Sequence, residues 1–180
     1  MLMIYLSMVD TQEEKYKIEE LYFRYKNLMF ACANEILDNE VLADDAVHDA
    51  FVKMTGHIKW IEDVKSNKTK HFVIVVVENA AKDIYRKEKR REHESWEKME
   101  SEGYIFSQYR PTELSEIEKA ILSLPLKYQH VFRLKYICGY SNEETAVILG
   151  IKNSAVRKRV SRGKEILRGI LEEMGVGVDE

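Results

Sequence analysis

The sequence predicts an all-α protein built from two small helical domains joined by a linker. Only two prolines, Pro111 and Pro125, interrupt the 180 residues, whereas β proteins need frequent turn residues. Apolar residues recur at steps of three and four over several long stretches, which is the period of an amphipathic helix. An acidic segment with few periodic apolar positions, residues 92–112, separates the two halves.

The first domain is predicted to span residues 1–91 and to consist of packed helices. The apolar spacing indicates one helix over 17–37 and a second over 41–57, whose acidic residues lie largely on the face opposite its apolar ones. The polar segment KSNKTK, 65–70, is interpreted as a loop, and 71–91 as a further helix. The run FVIVVV within that last segment has strand propensity. It continues without a breaker into AAKDIYRKEKRR, which favours a helix.

The second domain is predicted to span residues 113–180. Helices are indicated over 113–122 and 126–137, on either side of Pro125, followed by a close pair over 142–149 and 153–171. No internal repeat is visible, and the sequence leaves open whether the apolar segment before residue 10 is ordered.

The net charge of -3 conceals two basic stretches on an acidic chain. Residues 82–91 carry six basic and two acidic side chains, and residues 152–168 carry seven basic side chains and one acidic. Clustered Lys and Arg gain affinity for a polyanion by displacing its counterions. A solvated helix face is the alternative for either stretch alone, but two such stretches favour two contacts with nucleic acid.

The pair of helices over 142–171 has the features of a helix-turn-helix. Ser141 and Glu144 have the spacing of a capping box. Ala146 is small where two helices must approach each other, and Gly150 provides the positive φ that a tight turn requires. A second helix with polar and basic side chains near its start can read base edges in the major groove. The alternative, a helical hairpin with a hydrated basic face, explains fewer of these residues.

Together these residues resemble the extracytoplasmic-function (ECF) sigma factors of the sigma-70 family over nearly the whole chain, from about residue 18 to 171. LYFRYKNLMFACANEILDN (21–39) resembles the first helix of the family, and ADDAVHDAFVKM (43–54) resembles its polymerase-binding helix. FVIVVVENAAKDIYRKEKRR (72–91) resembles the helix that captures the melted minus-ten strand. Residues 121–167 resemble the domain that reads the minus-thirty-five duplex. The order and spacing of these four blocks make the resemblance specific.

The resemblance implies three sets of site residues. Those for contact with the clamp helices of the largest polymerase subunit are Asp45, His48, Asp49 and Phe51. Those for minus-ten DNA are Phe72, Asn79, Lys82, Asp83, Arg86, Lys87 and Arg90. Those for minus-thirty-five DNA are Ser154, Arg157, Lys158, Arg159, Ser161 and Arg162. For Phe72, packing in the core is an equally good interpretation.

Three residues depart from the family pattern. His48 replaces the usual glutamine, and Glu78 replaces a frequent basic residue. Lys152 occupies the usual serine cap of the recognition helix, so capping is expected to pass to Asn153 or Ser154. These departures affect the expected promoter preference and the polymerase contact at His48.

The resemblance also implies partners and a location. The expected partners are core RNA polymerase, promoter DNA and an anti-sigma factor, and the expected location is the cytoplasm. No cofactor is expected, because Cys32 and Cys138 lack metal-ligand spacing. The apolar segment 1–9 is too short for a membrane span or a full secretory leader, so no membrane insertion is expected.

Two other functions compete with the sigma-factor interpretation. A dimeric helix-turn-helix regulator that binds an operator without polymerase is the main alternative, but it leaves the basic stretch at 82–91 unexplained. Asp44 and His48 are four residues apart on one predicted helix, a spacing that could hold a metal. Further ligands at usable spacing are missing, and neither a phosphate loop nor a nucleophile motif is present, so an enzyme is not expected.

Overall fold

The computed structural model describes residues 1–89 and 115–175. Within these two ranges every regular element is a helix and no strand is present. The chain divides into two compact units, Met1–Glu94 and Ser95–Glu180. The predicted all-α fold is therefore confirmed, while the expected linker over 92–112 lies outside the described residues. No helix in the described part of the chain is long and apolar enough to cross a membrane.

In the first unit, residues 1–89 form four α-helices and one short 3₁₀ turn. They are α1 (Leu2–Ser7), α2 (Gln12–Leu37), α3 (Glu40–Thr55), the 3₁₀ turn Ile58–Trp60 and α4 (Asn67–Lys89). Helices α2, α3 and α4 pack against one another, and α1 packs on α2 and α3. The core of this unit is formed where the apolar faces of these helices meet.

The starts of α2 and α3 are determined by side-chain caps. The Thr11 hydroxyl accepts a hydrogen bond from the Glu14 amide at 3.2 Å, and the Thr11 amide donates to the Glu14 carboxylate at 3.1 Å. This capping box begins α2 at Gln12, five residues before the predicted start. Asn39 caps α3 by accepting hydrogen bonds from two backbone amides.

The strand-like run FVIVVV is helical, as predicted. Each residue of 72–77 is at most 1% exposed, because α4 contacts both α2 and α3 and is covered on all sides along this stretch. A helix that is apolar around its circumference is stable only when it is buried in this way. The loop predicted at 65–70 is shorter than expected, since the Ser66 hydroxyl accepts a hydrogen bond from the Thr69 amide at 3.2 Å and α4 begins at Asn67.

In the second unit, residues 115–175 form four α-helices and a π-helical turn. They are α5 (Glu116–Leu122), α6 (Leu126–Phe132), the π turn Arg133–Ile137, α7 (Asn142–Leu149) and α8 (Asn153–Glu173). The chain is helical over the whole predicted range 126–137, but its last five residues form a π-helical turn instead of an α-helix. There the Cys138 amide donates to the Arg133 carbonyl at 2.9 Å, a hydrogen bond that spans five residues instead of four.

The core of the second unit lies where α8 crosses α6. Its buried members are Ile121, Leu124, Tyr128 and Phe132, with Ile137, Leu167 and Ile170 packed against them. Gly163 is buried at this crossing, and a Cβ atom on it would overlap the ring of Phe132. The glycine therefore allows α8 to lie directly on the aromatic ring.

Candidate functional site

The turn between α7 and α8 has the geometry that the sequence predicts. The Ser141 hydroxyl accepts from the Glu144 amide at 3.1 Å, and the Ser141 amide donates to the Glu144 carboxylate at 2.8 Å. Gly150 ends α7 in the left-handed region with φ of 64°, a conformation that glycine adopts without steric cost. The Ile151 amide then donates to the Ala146 carbonyl at 3.0 Å. These bonds hold the end of α7 and direct the chain into α8.

The start of α8 differs from the prediction. Lys152 is the N-cap residue and no side chain caps the helix, so capping by Asn153 or Ser154 is wrong. The Asn153 amide group donates instead to the Glu143 carboxylate of α7. A hydrogen bond from its own backbone, the bond from Asn153 and the nearby charge of Arg157 all lower the pKa of Glu143. Glu143 therefore ties the first helix of the motif to the start of the second.

The outer face of α8 is polar and basic. Val156 and Gly163 are buried on its inner side. Five of the six residues predicted for minus-thirty-five DNA are exposed, and the sixth, Arg159, is half-buried. The exposed five are Ser154, Arg157, Lys158, Ser161 and Arg162. Such a face can place two guanidinium groups and an ammonium group against base edges and phosphates.

The residues of α4 predicted for minus-ten DNA fall into two groups. Phe72, Asn79 and Lys82 are at most 5% exposed, and the Lys82 ammonium donates to the Asn79 side-chain oxygen at 2.9 Å inside the unit. The exposed group consists of Asp83, Arg86 and Lys87. Arg90 lies outside the described residues. The ring of Phe72 belongs to the core, which was the alternative interpretation of this residue.

The residues of α3 predicted for polymerase contact are divided in the same way. Asp45 and Asp49 are exposed, His48 is half-buried, and Phe51 is 0% exposed. Burial lowers the pKa of Lys53 on the same helix, and the negative charges of Asp83 and Asp49 oppose this shift. Lys53 therefore lies near a carboxylate of α4 and one of α3, between two of the predicted surfaces.

Helix α1 is a feature that the sequence analysis left open. Tyr5 is 0% exposed; its ring stacks on Phe51 with centroids 5.0 Å apart, and its hydroxyl is 2.9 Å from Nδ1 of His48. The signal was present in the sequence, because Leu2, Tyr5, Leu6 and Val9 have helical spacing. The segment is short, and periodicity alone does not show that a six-residue helix finds a partner.

Replacing Tyr5 by phenylalanine is expected to reduce the loss of stability at high pH. Burial raises the pKa of Tyr5 to about 12 from 10.0, with the negative charges of Tyr22, Asp44 and Asp49 adding to the effect. The folded state thus holds the phenolic proton more tightly, and this contribution is complete below about pH 10 and lost as the pH rises toward 12. The free energy of unfolding, measured with urea between pH 8 and pH 11, should therefore fall more steeply with pH for the wild type than for Tyr5→Phe.

The matched control for this experiment is Tyr16→Phe, which removes the hydroxyl of an exposed tyrosine. This variant should keep the steep fall of the wild type. Equal slopes for wild type and Tyr5→Phe would contradict the prediction. Loss of the hydrogen bond to His48 should also lower the stability of Tyr5→Phe by about 1 kcal/mol at neutral pH.

Two family models match the chain, each over one of its units. Residues 21–91 match sigma-70 region 2 and residues 114–167 match sigma-70 region 4. The chain belongs to the sigma-70 family. The first match covers most of α2, all of α3 and α4, and the second covers the helix-turn-helix. The assignment made from the residues, to the ECF group of this family, is confirmed.

Two curated relatives come from Bacillus subtilis (strain 168). The ECF RNA polymerase sigma factor SigW is 29% identical over 163 residues, which cover 83% of this chain and 86% of SigW. The RNA polymerase sigma factor SigZ is 24% identical over 155 residues, which cover 86% of this chain and 87% of SigZ.

Two solved structures are also similar to this chain. RpoE of Bartonella quintana, in complex with the anti-sigma factor NepR, is 24% identical with a TM-score of 0.41, and the match covers 84% of this chain and 94% of RpoE. CnrH, in complex with the cytosolic domain of CnrY, is 18% identical with a TM-score of 0.40, covering 96% of this chain and 97% of CnrH.

Membership of the sigma-70 family establishes the general function of the chain. This member carries both region 2 and region 4. It is an initiation factor that binds core RNA polymerase and directs transcription from specific promoters. The alternative function, a dimeric helix-turn-helix regulator, is not favoured, because it does not explain the presence of region 2.

Proposed function

We propose that this sigma factor uses three separate surfaces, one for core polymerase and two for the promoter. The carboxylates of α3 bind the clamp helices of the largest polymerase subunit. The end of α4 holds the melted minus-ten strand, and the outer face of α8 reads the minus-thirty-five duplex. The observation that carries the proposal is the presence of regions 2 and 4 in one chain, with an exposed charged face on each.

The minus-thirty-five contact is assigned to α8. Arg157 is exposed one turn after the start of the helix, where recognition helices meet base edges. Its guanidinium group can donate two hydrogen bonds to a guanine, while Lys158 and Arg162 hold phosphates. Ser154 and Ser161 lie on the same exposed face and can donate to either.

The minus-ten contact is assigned to the exposed end of α4. Arg86 and Lys87 are exposed and can follow the phosphates of a single strand, while Asp83 can accept from the edge of a flipped base. Asn79 and Lys82 are buried and hydrogen-bonded to each other. They contribute to base capture only if neighbouring side chains move when the strand binds.

The polymerase contact is assigned to the exposed carboxylates of α3. Asp45 and Asp49 are both exposed, and the charge of Asp49 acts on Lys53 and on Tyr5 of α1. Two carboxylates on one helix fit a basic partner and accelerate association with it. Phe51 stays in the core and supports α3 from within.

Replacing Asp45 and Asp49 together by lysine is expected to lower the affinity for core polymerase about tenfold, because attraction to basic clamp residues becomes repulsion. Competition with a labelled reference sigma factor for core polymerase measures this affinity. Glu19→Lys, at an exposed carboxylate of α2, is the matched control and should bind like wild type. An unchanged affinity of the double variant would place the contact elsewhere.

An anti-sigma factor is a further proposed partner. The similar structure of RpoE is a complex with the anti-sigma factor NepR. The α3 carboxylates offer a surface that such a partner could cover, which would keep the chain from core polymerase. Because polymerase and promoter DNA are its partners, the cytoplasm is its proposed location.

Run-off transcription with bacterial core polymerase tests the proposal as a whole. A library of promoters is transcribed with and without the protein, and start sites are mapped. Initiation that depends on the protein and shares one pair of elements supports the three-surface assignment. No initiation, together with dimeric binding of the protein alone to a palindromic duplex, would replace it with the operator-binding regulator.

A further inference from the structure

Helix α1 presents large apolar side chains to solvent. Met3 is 77% exposed, Ile4 51% and Met8 47%. These three residues fall within six positions of the chain, on and directly after a single short helix. Apolar side chains grouped in this way on a surface are typical of a contact with another protein, and methionine adapts its shape to the partner that covers it.

The patch is held firmly on α3. Tyr5, on the inner side of α1, is fully buried between Phe51, His48 and Tyr22, with ring centroids 5.0, 5.5 and 6.3 Å away. Its hydroxyl forms the hydrogen bond to His48. Helix α1 is thus fixed against two of the four residues assigned to polymerase contact. A surface fixed in advance loses little conformational entropy when a partner binds.

The charges around α1 indicate which partner fits. Segment 1–9 contains no charged side chain, whereas Asp44, Asp45 and Asp49 of the adjoining helix α3 are exposed. Asp44 and Asp49 lie close enough to Tyr5 for their charges to act on its hydroxyl. If α1 served to cover the acidic face of α3, we would expect it to carry basic side chains that pair with the carboxylates. It carries no basic side chain. The two helices instead present an apolar patch next to carboxylates.

We propose that α1 is a second contact element for core RNA polymerase. Met3, Ile4 and Met8 pack on apolar side chains beside the basic residues that the α3 carboxylates bind. This inference rests on the proposed role of α3. It adds a segment that lies outside the region 2 match, which begins at residue 21, and it gives His48 and Phe51 the role of supporting α1.

The test uses the full chain with Met3→Gln and Ile4→Gln combined. Both side chains point to solvent, so the variant should fold and keep its unfolding temperature. Its affinity for core polymerase, measured by competition with a labelled sigma factor, should fall about tenfold. The matched control is Ile117→Gln, an equally exposed isoleucine of the second unit, which should bind like wild type.

Each result of this experiment is informative. Tighter binding by the double variant would mean that α1 masks the polymerase-binding face, and unchanged binding would mean that the patch does not touch polymerase; either overturns the inference. The charge-reversal variant at Asp45 and Asp49 separates this failure from a failure of the proposed function. If that variant binds weakly while the α1 variant binds like wild type, only the α1 contact is lost.

Discussion

Replacing Gly163 by alanine is expected to lower the free energy of unfolding of the second unit by about 2 kcal/mol. The new methyl group would overlap the ring of Phe132. This ring is 2% exposed and packs with Ile121, Leu124 and Tyr128, so it has no free space to move into. The overlap should outweigh the helix propensity of alanine, which favours it over glycine by about 1 kcal/mol.

Gly169 provides the matched control on the same helix. A Cβ atom at this position meets nothing within 4 Å, so Gly169→Ala should raise the stability by about 0.5 to 1 kcal/mol through helix propensity alone. Urea unfolding combined with hydrogen exchange of amides in α6 and α8 reports on the second unit separately from the first. A gain in stability from alanine at both positions would contradict the packing of α8 on Phe132.

Replacing Arg157 by alanine should lower the affinity for duplex DNA carrying the minus-thirty-five element by about ten- to a hundredfold, which corresponds to one lost bidentate base contact. The polymerase holoenzyme is titrated with this duplex and with duplexes changed at single positions. The variant should tolerate changes at one base pair that the wild type rejects. Its affinity for unrelated DNA should change little.

Two other substitutions on α8 separate base reading from charge. Lys158→Ala should weaken binding to all sequences alike and reduce the slope of log affinity against log salt by about 1. Arg168→Ala removes an equally charged, exposed side chain near the end of the helix and should leave the sequence preference unchanged. If Arg168→Ala loses sequence specificity and Arg157→Ala keeps it, the prediction is contradicted. The end of α8 near Arg168 would then be the part that reads the bases.

Local features of the fold could be predicted where the chemistry is local. The Ser141 and Glu144 capping box and the left-handed Gly150 depend on residues a few positions apart, and both were visible in the sequence. The helical state of FVIVVV was also predictable, because no breaker separates it from the basic stretch that follows. The cap at Thr11 was overlooked although Glu14 stands at the required spacing. The π turn at Arg133–Ile137 has no comparable signal in the sequence.

The candidate site shows the same division between local and distant contacts. The amino-acid sequence by itself determined the family, the helical class, and the basic outer face of α8. Helical spacing is enough to place Arg157 outside the inner face of α8 that carries Val156 and Gly163. Only the tertiary structure decided that Phe51, Asn79 and Lys82 are buried while Asp45 and Arg86 are exposed, and that Tyr5 joins His48 across 43 positions of the chain. Whether a side chain is buried depends on which helices pack against it. Those helices are distant in the sequence, so a short stretch of residues does not predict the packing.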